Sequence, residues 1–393
     1  MTRRAYVPAA VLYLLALTLA GAGGCHRGGA ARPHAVIRTA GLHRPVMPPL
    51  PPGGVKGIHL TGWVTGDHKQ LESLIGLCDR TELNAMVVDI KDDGQLSYDA
   101  DIPLAKEIHA SLHMIPHIDR VVAEMKQHHI FPIARIACFR DTILAKAHPE
   151  LAVHTPGGAV WYDATHHAWL NPYKRENWDY NVDVALDAIK QGFEEVQFDY
   201  VRFASEGKVS TLVYPGKPKG GLRADQIEAF LKYAAAKIHA QGAWFSADVF
   251  GLSSLTTGDM GIGQTRTNVA GEVDFICPMT YPSHYAHGEY GIPNPNTEPY
   301  KIVHLSLVDA LKRIKDVPTC QLRPWLQDFS LYHVHYGPEQ VKAELKAAAD
   351  LGIHQFLLWN ASCHYTEAAL APKGAAAGKA AAGPRHTRPG ATG

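Results

Sequence analysis

Short apolar runs alternate with helical periodicity along most of the chain. The runs that predict strands are rich in Val, Ile, Phe and Trp, and they span residues 57–61, 85–90, 131–138, 196–199, 244–249, 275–279, 319–325 and 355–359. Apolar residues three or four positions apart predict a helix after each of the first seven runs, as at Leu71, Leu74, Ile75 and Cys78. The pattern therefore predicts strand and helix in regular alternation, with its weakest helix near 265–270.

The character of these runs indicates how the strands pair. Strands that are apolar along nearly their whole length are typical of parallel sheets with helices packed outside. Eight such strands predict a closed α/β fold, the (β/α)8 TIM barrel. An open doubly wound sheet is the alternative, but no glycine-rich phosphate loop follows the first run, which disfavours its nucleotide-binding forms.

The two ends of the chain differ in composition from the part between them. Arg3 and Arg4 precede an apolar run too short to span a bilayer, so residues 1–25 are interpreted as a signal peptide and the protein as exported. The small residues before Cys25 are typical of a lipoprotein cleavage box, which leaves a lipid on Cys25 and ordinary cleavage nearby as alternatives. Residues 26–54 are interpreted as a flexible linker, 55–370 as one domain and 371–393 as a disordered tail.

Charge and cysteine content exclude some classes of protein. Lys and Arg together number 38, as do Asp and Glu, so no net field is available to hold a polyanion and nucleic acid is not expected as a partner. The five cysteines after Cys25 occur singly, and Cys138, Cys277 and Cys320 lie in apolar runs. This spacing predicts buried thiols and not a disulfide framework.

Two aspartates end neighbouring predicted strands. In a (β/α)8 barrel the active site lies at the carboxyl ends of the strands, where Asp199 ends the fourth and Asp248 the fifth. Cleavage of a glycosidic bond needs two carboxyl groups beside that bond. We expect Asp199 to act as nucleophile or transition-state stabiliser and Asp248 as general acid/base. For each, capping of the next loop or helix is the plain alternative.

Aromatic and polar side chains follow the other strands at the same end of the barrel. Aromatic rings can stack on sugar rings, while Arg and carboxylate groups can bind sugar hydroxyls. The segment Lys91–Gly94 has the alternative of a solvated turn. The residues expected to bind substrate are Trp63, Asp89, Lys91, Asp92, Tyr200, Arg202, Tyr281, His284, Tyr285, Trp325, Gln327, Asp328, Trp359 and Asn360.

The sequence gives little support for a catalytic metal site or a serine nucleophile. The pairs His284 with His287 and His333 with His335 have no acidic residue placed to complete a familiar zinc site, and H-E-x-x-H is absent from the sequence. The segment after Gly251 lacks the second glycine of a serine nucleophile elbow. We therefore expect neither a catalytic metal nor a cofactor.

Several segments together resemble the bacterial family catalogued as "putative glycosyl hydrolase domain". The resemblance covers about 55–365 and rests, in chain order, on KGIHLTGW, NAMVVDIKDDGQLSY, WLNPYKRENWDYNVDVA, GFEEVQFDYVRF, SADVFG, PMTYPSHY, RPWLQDF and LLWNAS. It implies a TIM barrel related to carbohydrate-active enzymes, with Asp199 and Asp248 at strand ends. It is similar, more distantly, to the amylase arrangement, except that the strand-five acid is Asp248 and not Glu. Ala204 also replaces an expected Pro.

The sequence thus predicts a glycoside hydrolase that acts on an extracellular or cell-envelope polysaccharide or oligosaccharide, without nucleic acid. A lipid on Cys25 would attach it to the membrane. Two alternatives remain: a non-catalytic glycan-binding envelope protein, and a metal-dependent polysaccharide deacetylase.

Overall fold

A computed structural model of the protein describes residues 45–205, 209–254 and 258–374. The predicted signal peptide with Cys25, most of the predicted linker and the tail from residue 375 lie outside this part. Among the described helices, each is too short or too polar to cross a membrane.

Parallel strands close into a barrel. Strand β1 pairs with both β2 and β10, which joins the two ends of the sheet and excludes the open doubly wound alternative. The short β3 adds an antiparallel hairpin to the end of β2. The strands are β1 (Lys56–Leu60), β2 (Ala85–Asp92), β3 (Gln95–Leu96), β4 (Phe131–Ala137), β5 (Glu195–Asp199), β6 (Trp244–Phe250), β7 (Phe275–Met279), β8 (Gln321–Leu322), β9 (Trp325–Gln327) and β10 (Phe356–Trp359).

The helices confirm the predicted alternation. The seven predicted helices are α2, α4 and α6 to α10, while α1, α3 and α5 are short additions within loops. Their bounds are α1 (Gly62–Gly66), α2 (His68–Arg80), α3 (Pro103–Glu107), α4 (Ile118–Gln127), α5 (Thr142–Ala147), α6 (Arg175–Lys190), α7 (Arg223–His239), α8 (Arg266–Glu272), α9 (Pro299–Ile314) and α10 (Pro338–Ala349).

The seventh strand differs from its prediction. The sequence predicts one strand over 319–325, but the structure has β8 and β9 with Arg323 and Pro324 between them. Proline has no N–H to donate to a neighbouring strand, so the ladder is interrupted there. The strand then continues to Gln327, and Trp325 lies inside β9.

The inner face of the barrel is more polar than the apolar runs predict. In β5, Val196 and Phe198 pack in the outer core, where the Phe198 ring stacks on Phe230 of α7. Glu195 faces inward, because it accepts a hydrogen bond of 2.7 Å from Arg323, a residue between the two parts of the seventh strand. Polar residues therefore alternate with apolar ones along this strand.

The amino-terminal end of the barrel is covered by residues 45–54, which the sequence assigns to the linker. Leu50 packs against the apolar cluster inside the barrel, and the indole N–H of Trp244 donates to the carbonyl of Pro48 at 2.9 Å. The opposite end, where the strands finish, remains open. The five cysteines after Cys25 are buried, as predicted.

Candidate active site

A cavity of about 440 Å³ opens at the carboxyl ends of the strands. Eight of the residues that the sequence singles out contribute to its wall, together with six others. The lining residues are Arg135, Asp199, Tyr200, Asp248, Phe250, Gly251, Leu252, Met260, Met279, Tyr281, His284, Tyr285, Trp325 and Trp359.

The end of β5 is shaped by an unusual backbone conformation. Tyr200 follows Asp199 with a φ of 48°, in the left-handed region that non-glycine residues seldom adopt. In this conformation its N–H donates to Oδ1 of Asp199 at 2.6 Å. The Tyr200 ring is held from the other side by Arg140, whose guanidinium lies 3.8 Å from the ring centroid and donates to the hydroxyl. The turn thus fixes both Asp199 and Tyr200 at the cavity.

Arg135 of β4 lies at the centre of the carboxylates. Its Nη1 contacts Asp89 at 2.5 Å, and its Nε donates to Oδ2 of Asp199 at 3.2 Å while Nη2 also donates to that oxygen. The same Nε lies 3.9 Å from Oδ2 of Asp248. Both Oδ2 atoms therefore lie within 3.9 Å of the same guanidinium nitrogen, which places the two carboxyl groups side by side at Arg135.

Asp248 and Asp199 differ in their surroundings. Asp248 is only 1% exposed; burial, and then the negative charge of Asp199, raise its pKa well above the ordinary value. Arg135 and a hydrogen bond of 2.7 Å from the indole N–H of Trp325 oppose this rise without reversing it. Asp199 instead accepts hydrogen bonds on both oxygens from N–H donors. Burial therefore favours the protonated form of Asp248, while N–H donors hold Asp199 in position at the cavity.

A second ion pair supports Arg135 from below. His59 of β1 hydrogen-bonds Asp89 at 2.8 Å. Burial disfavours the charged form of each, but the charge of the partner outweighs burial, so the pKa of His59 rises to about 9 and that of Asp89 falls to about 2, with help from Arg135. The His59 ring stacks on Trp359 at 3.9 Å. The network therefore orients Arg135 and one aromatic wall of the cavity.

The opposite wall is apolar and comes from the ends of β6 and β7 and the loop after β6. Phe250, Leu252, Met260 and Met279 contribute to it. A Cβ on Gly251 would collide with the Met279 carbonyl and the Tyr285 hydroxyl, so glycine is required for this close approach.

Two tyrosines border this wall. Tyr285 donates to Ser306 at 2.7 Å, which fixes its ring. Burial, and then the charges of Asp248 and Asp199, raise the pKa of Tyr281 well above its ordinary value, so its hydroxyl stays protonated and can donate to a ligand.

Some predicted substrate-binding residues lie away from the cavity wall. Lys91 is fully buried, with its Nζ 2.8 Å from Asp141 and 2.9 Å from Asn181, and it ties β2 to the loop after β4 and to α6. The Arg202 guanidinium is buried between the Trp169 and Phe250 rings, 4.7 and 4.6 Å from their centroids.

Three more such residues lie at or just after the ends of β9 and β10. Gln327 accepts from the N–H of Ser283 at 3.1 Å, and Asp328 accepts from the N–H and hydroxyl of Thr366 at 2.8 and 2.6 Å. Asn360 donates to the Asp328 carbonyl at 2.5 Å. These contacts join the loops that follow β7, β9 and β10.

Two further predicted residues lie at the rim. Asp92 is half-exposed and pairs with Arg140 at 2.8 Å. Trp63 of α1 is 64% exposed, directly after β1.

Sequence reasoning missed the roles of His59 and Arg135. Arg135 lies inside the apolar run of β4, and a charged residue in a buried strand requires a charged or hydrogen-bonding partner. His59 occupies a similar position in β1. Such interruptions of an apolar strand were the available signal.

The histidine pairs weighed as metal ligands lie apart from other ligating groups. His287 donates to the Pro293 carbonyl at 2.8 Å, and His333 and His335 are exposed. Within the described ranges, no cluster of three or more His, Cys, Asp or Glu is arranged to hold a metal ion.

Comparison with known proteins gives a family and similar folds. The family described as "Putative glycosyl hydrolase domain" matches residues 57–365. A hypothetical protein from Ruminiclostridium thermocellum is 37% identical, with 49% of this chain and 97% of that one covered and a TM-score of 0.46. The PgaB (BpsB) glycoside hydrolase domain from Bordetella bronchiseptica is 13% identical over 80% of this chain and 95% of that one, with a TM-score of 0.58, a likeness of fold. No curated protein matches.

Proposed function

We propose that this chain, which belongs to the family described as "Putative glycosyl hydrolase domain", hydrolyses a glycosidic bond with Asp199 and Asp248. The observation that carries the proposal is the pair of carboxyl groups around Arg135, one with a raised pKa and one held by N–H donors. Environments that drive two carboxyl groups into different protonation states are what acid catalysis of this bond needs.

The chemistry follows from the two states. Asp248 transfers its proton to the glycosidic oxygen as the bond to the anomeric carbon breaks. The Asp199 carboxylate faces the positive charge that develops at that carbon, and acts as nucleophile or as stabiliser. Arg135 keeps Asp199 in place, and water supplies the hydroxyl group of the new reducing end while its remaining proton restores the acid.

The substrate is a polysaccharide or oligosaccharide outside the cytoplasm. Its sugar ring lies against Trp359 on one side and the wall with Tyr281 on the other, since both line the cavity. The location is supported by the signal-peptide pattern of residues 1–25, with a lipid on Cys25 or ordinary cleavage as the two outcomes. The glycan-binding alternative uses the same cavity, whereas none of the observations on the described residues favours a metal-dependent deacetylase.

The test is release of reducing ends from a panel of hydroxyethyl cellulose, glycol chitin, laminarin, dextran, pullulan and purified peptidoglycan glycan strands. We expect the wild type to cleave at least one of them, and Asp199→Asn and Asp248→Asn each to lose at least about 1,000-fold in kcat, because each removes one half of the acid and carboxylate pair.

The matched control is Asp274→Asn. Asp274 is also a buried aspartate, but it precedes β7 at the opposite end of the barrel and pairs with His239. It should keep wild-type kcat. If the wild type and both site variants bind a polymer without releasing new reducing ends, the result would instead support the glycan-binding alternative.

A further inference from the structure

The mouth of the barrel has two chemically different halves. In the order of the strands, one half carries Asp92 at the end of β2, Arg140 after β4 and Tyr200 after β5, with Arg140 bonded to both of the others. The half formed by β1, β10, β9 and β7 carries rings instead. This aromatic arc comprises Trp63, Trp359, Tyr332, Tyr281 and His284.

Tyr332 is the most exposed member of the arc, at 72%. It and His333 both have positive φ, 52° and 61°, between Leu331 and Val334, which form an antiparallel bridge and a hydrogen bond of 3.1 Å. This is the pattern of a type I′ turn, whose two central positions favour Gly and Asn. A tyrosine and a histidine there are strained, and such strain is found at sites with a function.

Contacts with the cavity wall hold this turn in place. Asn296 donates to the Leu331 carbonyl at 2.9 Å. Phe329, just before the turn, lies edge-on to the rings of Tyr281 and His284 at 5.9 and 6.2 Å. The turn is thus continuous with the cavity, and it presents its tyrosine ring to solvent.

Trp63 is presented on the other side of Trp359. It lies in α1, where the Thr61 hydroxyl accepts from the N–H of Val64 at 3.2 Å, and a Cβ on Gly62 would collide with Ser97. The helix is therefore packed tightly while the indole ring remains exposed. Trp63 and Tyr332 thus follow the strands on either side of β10, whose Trp359 lines the cavity, and both rings are mostly exposed.

We propose that Trp63 and Tyr332 are outer platforms that stack on sugar units of one glycan chain running through the mouth. This inference rests on the proposed function for the reaction itself, and it deepens that function by naming the substrate class. A cavity of about 440 Å³ takes only a short part of a polymer, so the remaining units lie across the rim. With a platform on each side of Trp359, the substrate is a linear polysaccharide that is bound and cleaved within its length.

Binding is measured separately from cleavage, in protein that carries Asp199→Asn. Affinity gel electrophoresis tests whether each of the six polymers named above binds the protein. For any polymer that does, calorimetry measures the affinity of its disaccharide and of its hexasaccharide. Trp63→Ala and Tyr332→Ala should each weaken binding of the hexasaccharide by about fivefold to tenfold, the effect of one lost stacking contact, and leave disaccharide binding unchanged.

Three variants control for folding and ring chemistry. Tyr162→Ala removes a ring that is 39% exposed in the loop after β4, outside the aromatic arc, and should change neither affinity. Tyr332→Gly relieves the positive φ, so it should weaken hexasaccharide binding without a loss of thermal stability. Tyr332→Trp keeps an aromatic ring at this position, so it should bind the hexasaccharide as the protein with Tyr332 does.

The outcomes separate this inference from the proposed function. If the wild type cleaves none of the polymers but one of them binds the protein through both rings, the result would contradict the proposed hydrolysis and support the platforms. Three results would overturn the platforms. These are that no polymer binds the protein, that the variants lose as much affinity for the disaccharide as for the hexasaccharide, or that all variants bind with equal affinity. A dimer of the wild type that Tyr332→Ala dissociates would also overturn them, because the ring would then bind a second copy.

Discussion

At the scale of single residues, the hydrogen bond from Trp325 to Asp248 tunes the proposed acid. It lowers the Asp248 pKa, so Trp325→Phe should raise that pKa further. The acid would then keep its proton to higher pH, and the basic limb of kcat/KM against pH should move upward while the maximum falls by about tenfold. Trp244→Phe also loses an indole hydrogen bond, at the opposite end of the barrel, and should leave that limb in place. A downward movement would contradict the role of Asp248 as acid.

The His59–Asp89 pair predicts how stability depends on pH. The pKa of His59 is raised to about 9 from 6.5, so its stabilising contribution is complete below about pH 6.5 and is lost as the pH rises through 9. Urea unfolding should show the wild type losing on the order of 2–3 kcal/mol more than His59→Gln between pH 6 and pH 9.5. Parallel curves for the two proteins would show that His59 is not protonated in the folded state.

Single residues also mark the limit of sequence reasoning about the site. Asp199 ends β5 and Asp248 lies near the end of β6, and both could be selected because the barrel brings the strand ends together. The same rule selects Lys91 and Gln327, which the structure places in buried hydrogen bonds between elements. The position of a residue along a strand predicts how close it lies to the mouth of the barrel. Its hydrogen-bond partners depend instead on the neighbouring strands and loops.

At the scale of elements, the segment before β1 is expected to stabilise the barrel. Leu50 packs at the amino-terminal end of the lumen and Pro48 accepts a hydrogen bond from Trp244. A chain that starts at Val55 should lose about 2 kcal/mol of unfolding free energy compared with one that starts at Pro45, since apolar surface becomes exposed. Thermal unfolding measures the difference, and Leu50→Ala in the longer chain should account for about half. Equal midpoints would mean that the segment only rests on the surface.

The elements that the sequence predicts well are those with a long periodic pattern. The helix over 175–190 follows from its apolar stripe, whereas the break of the seventh strand at Pro324 and the turn at Tyr332 depend on a few residues each. In the turn, tertiary contacts such as that from Asn296 hold residues whose own preferences favour another conformation. Local preference therefore does not predict the turn that carries Tyr332.

At the scale of the whole molecule, eight alternating strands and helices favoured a closed barrel over an open sheet, because eight parallel strands with helices outside can pair their two edges. The polar lumen was not predictable in the same way. Glu195 directly precedes an apolar run, and nothing nearby in the sequence indicates its partner Arg323, which is 128 residues away.

That lumen pair should stabilise the fold without contributing to the chemistry. Both residues are fully buried, Glu195 accepts two bonds from Nη1 of Arg323 at 2.7 and 2.9 Å, and Ser246 donates to it at 2.6 Å. Glu195→Gln should cost about 3 kcal/mol in urea unfolding, because the charge of Arg323 then stays buried without its counter-ion.

The double variant Glu195→Met with Arg323→Met removes both charges and should recover most of that loss. At a temperature where all three proteins are folded, kcat/KM should be unchanged, since Glu195 is at the start of β5 and Asp199 at its end. A double variant no more stable than Glu195→Gln would show that the lumen needs these polar groups for packing. A loss of kcat/KM with stability intact would mean that charge at the base of the barrel reaches the carboxylates at its mouth.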